Sequence, residues 1–68
     1  MEHKIGQTIF RLRKEKGMHQ KQLGEMLGYS QNTISDWESG RTEPNIDVVI
    51  KLVKVFDVSY EELLEGNL

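Results

Sequence analysis

The residues of this chain best suited to chemistry form one short polar run: Gln31, Asn32, Ser35, Asp36 and Ser39. Spacings of i, i+1, i+4, i+5 and i+8 put all five on one face of a helix, and leave Ile34 and Trp37 on the other. A carboxamide carries a donor and an acceptor side by side. Gln31 and Asn32 therefore suit bidentate pairing with N6 and N7 of adenine, and the Asp36 carboxylate suits the N4 amino group of cytosine. Ser35 is short and can reach a base through water. This is recognition chemistry rather than bond-breaking chemistry. No nucleophile has a plausible partner. His3 and His19 have no carboxylate or histidine at metal-ligand spacing. The glycines at 6, 17, 24, 28 and 40 are dispersed and do not form a phosphate loop. The absence of cysteine excludes disulfides and thiolate metal sites. No enzymatic activity, cofactor or metal is expected.

A helix that read bases would need phosphate contacts around it. The formal net charge of −2 argues mildly against a polyanionic partner, but it averages over a gradient. Residues 1–21 carry six bases against Glu2 and Glu15, whereas residues 55–68 carry Asp57, Glu61, Glu62 and Glu65 with no base. A phosphate-binding surface needs only the positive end. Gln20 opens a helical segment, where free N–H groups suit an anion. Thr33 and Ser39 supply hydroxyls, Arg41 supplies charge beyond the reading segment, and Lys21 is a further candidate. Arg11, Lys14 and Lys16 read as a solvated face.

The elements that position these groups follow from apolar spacing. At 68 residues, 37% hydrophobic and 29% charged, the chain reads as one ordinary globular domain. No apolar run is long enough to cross a bilayer and nothing resembles a secretory signal, so a cytoplasmic location is expected. Ile5, Ile9 and Leu12 predict a helix from about Lys4 to Lys16, ended by Gly17. Leu23, Met26 and Leu27 predict a second from about Gln20 to Leu27, stopped by Gly28. Only Tyr29 separates that glycine from Ser30, a good N-cap for a third helix at about 31–39. So short a joint forces a steep crossing, the helix-turn-helix arrangement. The fourth segment, about Ile46 to Phe56, follows an Asn45 cap. It has one apolar face of Ile46, Val49, Ile50, Val53 and Phe56 and a second of Val48, Leu52 and Val55. Burial on two sides is expected, as the centre of the domain or in part as a subunit interface. Ser59 and Glu62 form a capping-box pattern that opens a last helix with Tyr60, Leu63 and Leu64 facing inward. The expected fold class is all-α, a compact five-helix bundle.

In the second and third segments, Leu23, Leu27, Tyr29, Ile34 and Trp37 are spaced to turn inward. Gly24 falls where two helices cross, and Gly28 where the chain must turn with positive φ. With these residues in register, His19-Gln-Lys-Gln-Leu-Gly24, Gly28-Tyr-Ser30 and Thr33-Ile-Ser-Asp-Trp-Glu-Ser-Gly-Arg41 resemble the helix-turn-helix of the Xre family, the Cro/C1 type with a lambda-repressor-like fold. The resemblance extends through Glu43-Pro44-Asn45 and the tail and covers residues 5–66. It implies a sequence-specific transcriptional regulator, a bacterial or phage repressor, that binds a double-stranded DNA operator as a homodimer. It further implies that Gln20 binds backbone phosphate and braces Gln31, and that Arg13 pairs with Glu38 to fix the angle of the reading helix. Three positions depart from the family pattern. His19 stands where Ser or Thr usually caps, Gly24 replaces the commoner alanine, and Asp36 stands where a basic or amide residue is frequent. An acid facing DNA is either a cytosine reader or a device against wrong sites. The expected dimer surface is the exposed apolar part of helix four with Leu63, Leu64 and Leu68. The alternative is an antitoxin-like module in which a protein partner is primary.

Overall fold

Local side-chain chemistry starts and stops the helices. In the computed structural model, which describes residues 4–66, the order is α1 (Ile5–Glu15), α2 (Gln20–Leu27), α3 (Gln31–Ser39), α4 (Ile46–Phe56) and α5 (Tyr60–Glu65), with no strand among the described residues. Three helices open on a side-chain acceptor that satisfies a free N–H of the first turn. Ser30 Oγ accepts from Thr33 N–H at 3.2 Å, Asn45 Oδ1 from Val48 N–H at 3.0 Å, and Ser59 Oγ from Glu62 N–H at 3.0 Å. At α2 the reach-back bond is made, with the Gln22 side chain accepting from His19 N–H at 2.7 Å. At α5 the Glu62 carboxylate turns instead to Arg11 of α1, at 3.4 Å. Gly28 and Gly40 close α2 and α3 in the left-handed region, and Asp57, at φ 56°, does the same for α4.

The core draws on every helix. Ile5, Ile9 and Leu12 of α1 meet Leu23 and Leu27 of α2, Ile34 and Trp37 of α3, Val48, Val49, Leu52 and Phe56 of α4, and Leu63 of α5. Helix α3 packs against both α1 and α2. At each of these contacts a glycine lets backbone meet backbone. A Cβ on Gly24 would lie 2.5 Å from the Tyr29 carbonyl oxygen, and a Cβ on Gly6 would run into the carbonyl of Trp37. Alanine, the commoner residue at Gly24's position in the family the sequence resembles, would not fit here without a shift.

Several apolar residues expected inside lie outside. Met26 is 56% exposed and Tyr60 47% exposed. α5 is six residues long and has one fully inward position, Leu63. α4 is not buried on both sides. Its buried stripe is Val48, Val49, Leu52 and Phe56, which cuts across the two apolar faces read from the sequence, while Ile46 (66%) and Ile50 (37%) face solvent. The reason is placement: α4 packs against α2 and α5, and these cover one side of it. Leu63 is 0% exposed and so does not belong to any docking surface. Leu68 lies outside the described residues. No helix among them is long and apolar enough to cross a membrane.

Candidate nucleic-acid interface

The orientation of α3 is held by a buried charge cluster. Arg13, on α1, is 5% exposed and has three donors in use. Its Nε donates to Glu38 Oε2 at 2.6 Å, its Nη2 to Glu38 Oε1 at 3.0 Å, and its Nη1 to the Met18 carbonyl at 2.8 Å. Gln20 Nε2, from the first position of α2, donates to the same Glu38 Oε1 at 3.0 Å. Two parallel bonds between guanidinium and carboxylate fix direction as well as distance. Two elements thus converge on the last turn of α3, α1 and the start of α2, and the joint between them holds the guanidinium in place through the Met18 carbonyl. No buried side-chain nitrogen or oxygen among the described residues lacks a hydrogen-bond partner, so the cluster is closed.

The Gln20 contact corrects one expectation. Its amide is directed to Glu38 and not to Gln31. A carboxylate oxygen is a stronger acceptor than a neutral amide, and Glu38 sits beside the start of α2.

With Ile34 and Trp37 buried, the opposite face of α3 turns outward. Gln31, Asn32, Ser35 and Ser39 are exposed, and Asp36 is part-exposed. The Asp36 carboxylate lies 3.7 Å from Arg41 Nε, and the Ser39 hydroxyl donates to the Asp36 carbonyl at 3.1 Å. Thr33 is half-buried, its Oγ1 3.0 Å from Ser30 Oγ. Lys21 is exposed on the first turn of α2, next to Gln20. The nine residues singled out for base or phosphate contact therefore lie on two neighbouring pieces of backbone, the start of α2 and the outer face of α3 with its C-terminal turn.

The basic end of the chain is partly neutralised. Arg11 pairs with Glu15 at 3.1 Å and with Glu62 of α5 at 3.4 Å, which ties the positive segment to the acidic one. Lys14 Nζ lies 5.7 Å from the ring centroid of Phe10, which is 47% exposed. Tyr29 meets Trp37 edge-on at 5.1 Å between centroids, so it is packed against the core while 38% exposed. No group of three His, Asp or Glu among the described residues is placed to hold a metal ion.

Sequence reasoning missed Gln20 as a partner of Glu38, Arg41 as a partner of Asp36, and Gly6 as the seat of α3. Gly6 left a signal, a glycine within an otherwise good helical pattern, and for Arg41 the sequence marked the turn at Gly40 but not the pair.

Known proteins are similar to this chain over most of its length. A family model described as helix-turn-helix matches residues 9–63. The HTH-type transcriptional activator BcrR of Enterococcus faecalis is 38% identical over 63 residues, covering 93% of this chain and 31% of that protein. Repressor protein C2 of Salmonella phage P22 is 39% identical over 64 residues, covering 94% of this chain and 30% of that protein. The chain thus spans less than a third of the length of these curated relatives. The crystal structure of the P22 c2 repressor in complex with synthetic operator 9T superposes with a TM-score of 0.85 at 38% identity, over 93% of this chain and 96% of that one.

Proposed function

Because the chain belongs to the helix-turn-helix family, we propose that it is a sequence-specific, double-stranded DNA-binding regulator of transcription, a repressor that works in the cytoplasm with residues 31–39 in the major groove. One observation carries this reading. The amide- and hydroxyl-bearing face of α3 is turned outward, while Arg13, Gln20 and Glu38 clamp the last turn of that helix from behind. A recognition helix needs both features, since a bidentate amide–base pair tolerates little misalignment.

Within this reading Gln31, Asn32, Ser35 and Asp36 meet base edges. Gln20 and Lys21, at the start of α2, meet backbone phosphate, as do Thr33, Ser39 and Arg41. Gln20 reaches phosphate through the free N–H groups of its helix turn, because its side-chain amide is committed to Glu38. Arg13 and Glu38 touch no DNA and set the angle of α3. The protein does no chemistry on its ligand.

One such helix reads only a few base pairs, so two copies about one helical turn of DNA apart are needed for discrimination. Ile46 and Ile50, apolar and exposed on α4, are the residues offered to the second copy. The test is selection of bound duplexes from a random pool. The expected product is a short sequence with two-fold symmetry. A pool that emerges without enrichment after binding at low salt would reject sequence-specific recognition, and binding that favours no duplex over buffer would reject DNA altogether.

A further inference from the structure

The end of α3 bends back on itself. Gly40, at φ 83°, reverses the chain, and the Asp36 carbonyl accepts from the N–H of Arg41 at 2.9 Å, from that of Thr42 at 3.4 Å and from the Ser39 hydroxyl at 3.1 Å. Residues five apart do not face each other on a continuous helix, where neighbours are three or four apart. The left-handed turn is what returns Arg41 to the turn of helix that carries Asp36. The two side chains then meet, Arg41 Nε to Asp36 Oδ1 at 3.7 Å, with side chains 77% and 42% exposed.

We infer that Asp36 restrains Arg41 and thereby limits how tightly the protein holds DNA of arbitrary sequence; this rests on the DNA-binding reading above. A free guanidinium at the end of a reading helix attracts any phosphate, and phosphate contacts carry no sequence information. Paired with Asp36, Arg41 contributes no net charge to that end of α3. A non-cognate duplex must part the pair to gain the phosphate contact. A duplex that offers a cytosine N4 amino group opposite Asp36 supplies the carboxylate with another partner, and Arg41 is released to the backbone. The phosphate contact becomes conditional on the base contact. The same pairing accounts for an acid on a surface that faces a polyanion, since Arg41 beside it offsets its charge.

The experiment uses the whole chain, a short random-sequence duplex, and affinity measured across a salt series. Four proteins are compared: the natural chain, Asp36→Asn, Arg41→Gln and the double variant. Asparagine keeps the main-chain carbonyl that accepts the cap bonds, and Asp36→Ser provides a second test of the same prediction; circular dichroism checks that each variant is helical. Asp36→Asn is expected to tighten random-sequence binding by about two- to five-fold, the range of an exposed ion pair. It should also steepen the log–log salt dependence by about 0.9, one additional phosphate neutralised. In the Arg41→Gln background the same change should leave the slope alone. A slope that Asp36→Asn does not move, or moves equally without Arg41, overturns the restraint while leaving DNA binding intact. A natural chain that ignores the duplex at low salt overturns the functional reading, and the restraint with it.

Discussion

Gln20 and Glu38 are joined by a 3.0 Å hydrogen bond, made to the same carboxylate oxygen that accepts from Arg13 Nη2. The bond ties the first residue of α2 to the last turn of α3. The helix end suited to a phosphate and the helix suited to base edges are therefore not independently positioned.

This cluster yields a first prediction. Glu38→Ala leaves a buried guanidinium without its counter-ion and should cost about 3–5 kcal/mol in stability. Replacing the pair together, Arg13→Met with Glu38→Leu, should recover most of that loss, because two desolvated charges become apolar contact. Urea denaturation would give both numbers. If the double variant also bound its selected duplex with unchanged affinity and specificity, the cluster would have no orienting role.

Base and phosphate contacts predict different losses. Gln31→Ala should cost about 1–3 kcal/mol on the preferred duplex and relax a single base position. Lys21→Ala should weaken every sequence alike and lower the salt slope by about one. Binding assays on duplexes altered one position at a time separate the two. A uniform loss from Gln31→Ala would move that residue to the backbone.

Gly6 predicts a packing defect with an optical signature. A Cβ there would meet the Trp37 carbonyl, which is main chain and can move only with α3. Gly6→Ala should destabilise the fold by about 1–3 kcal/mol. It should also shift the emission of Trp37, the single tryptophan in the chain. Thermal melting followed by fluorescence would detect both, and a melting point equal to that of the natural chain would count against the close crossing.

Two apolar residues on the α4–α5 side should behave oppositely. Ile50 is partly exposed, so Ile50→Glu should leave folding within about 0.5 kcal/mol, and the proposed pairing of two copies through α4 predicts that it abolishes self-association. Leu63 is fully buried, so Leu63→Ala should cost about 2–5 kcal/mol through the cavity it leaves. Sedimentation with and without DNA tests the first. An Ile50→Glu protein that still pairs on DNA would place the second copy elsewhere.

Whatever depends on near neighbours along the chain was legible in the sequence. The N-caps at Ser30, Asn45 and Ser59, the glycine stops at 28 and 40, and the outward polar face of α3 opposite Ile34 and Trp37 each involve residues a few positions apart, where helix geometry alone determines who meets whom. Tertiary packing decided the rest. Which apolar residues of α4 are covered, why Met26 and Tyr60 remain in solvent, and why the Gln20 amide turns to Glu38 depend on what stands opposite, and periodicity identifies an apolar side without naming its partner. The return of Arg41 to Asp36 falls between the two. Gly40 announced a turn, but the meeting of the two charges required the left-handed backbone and the carbonyl that gathers the cap's N–H groups, a geometry that side-chain types do not encode.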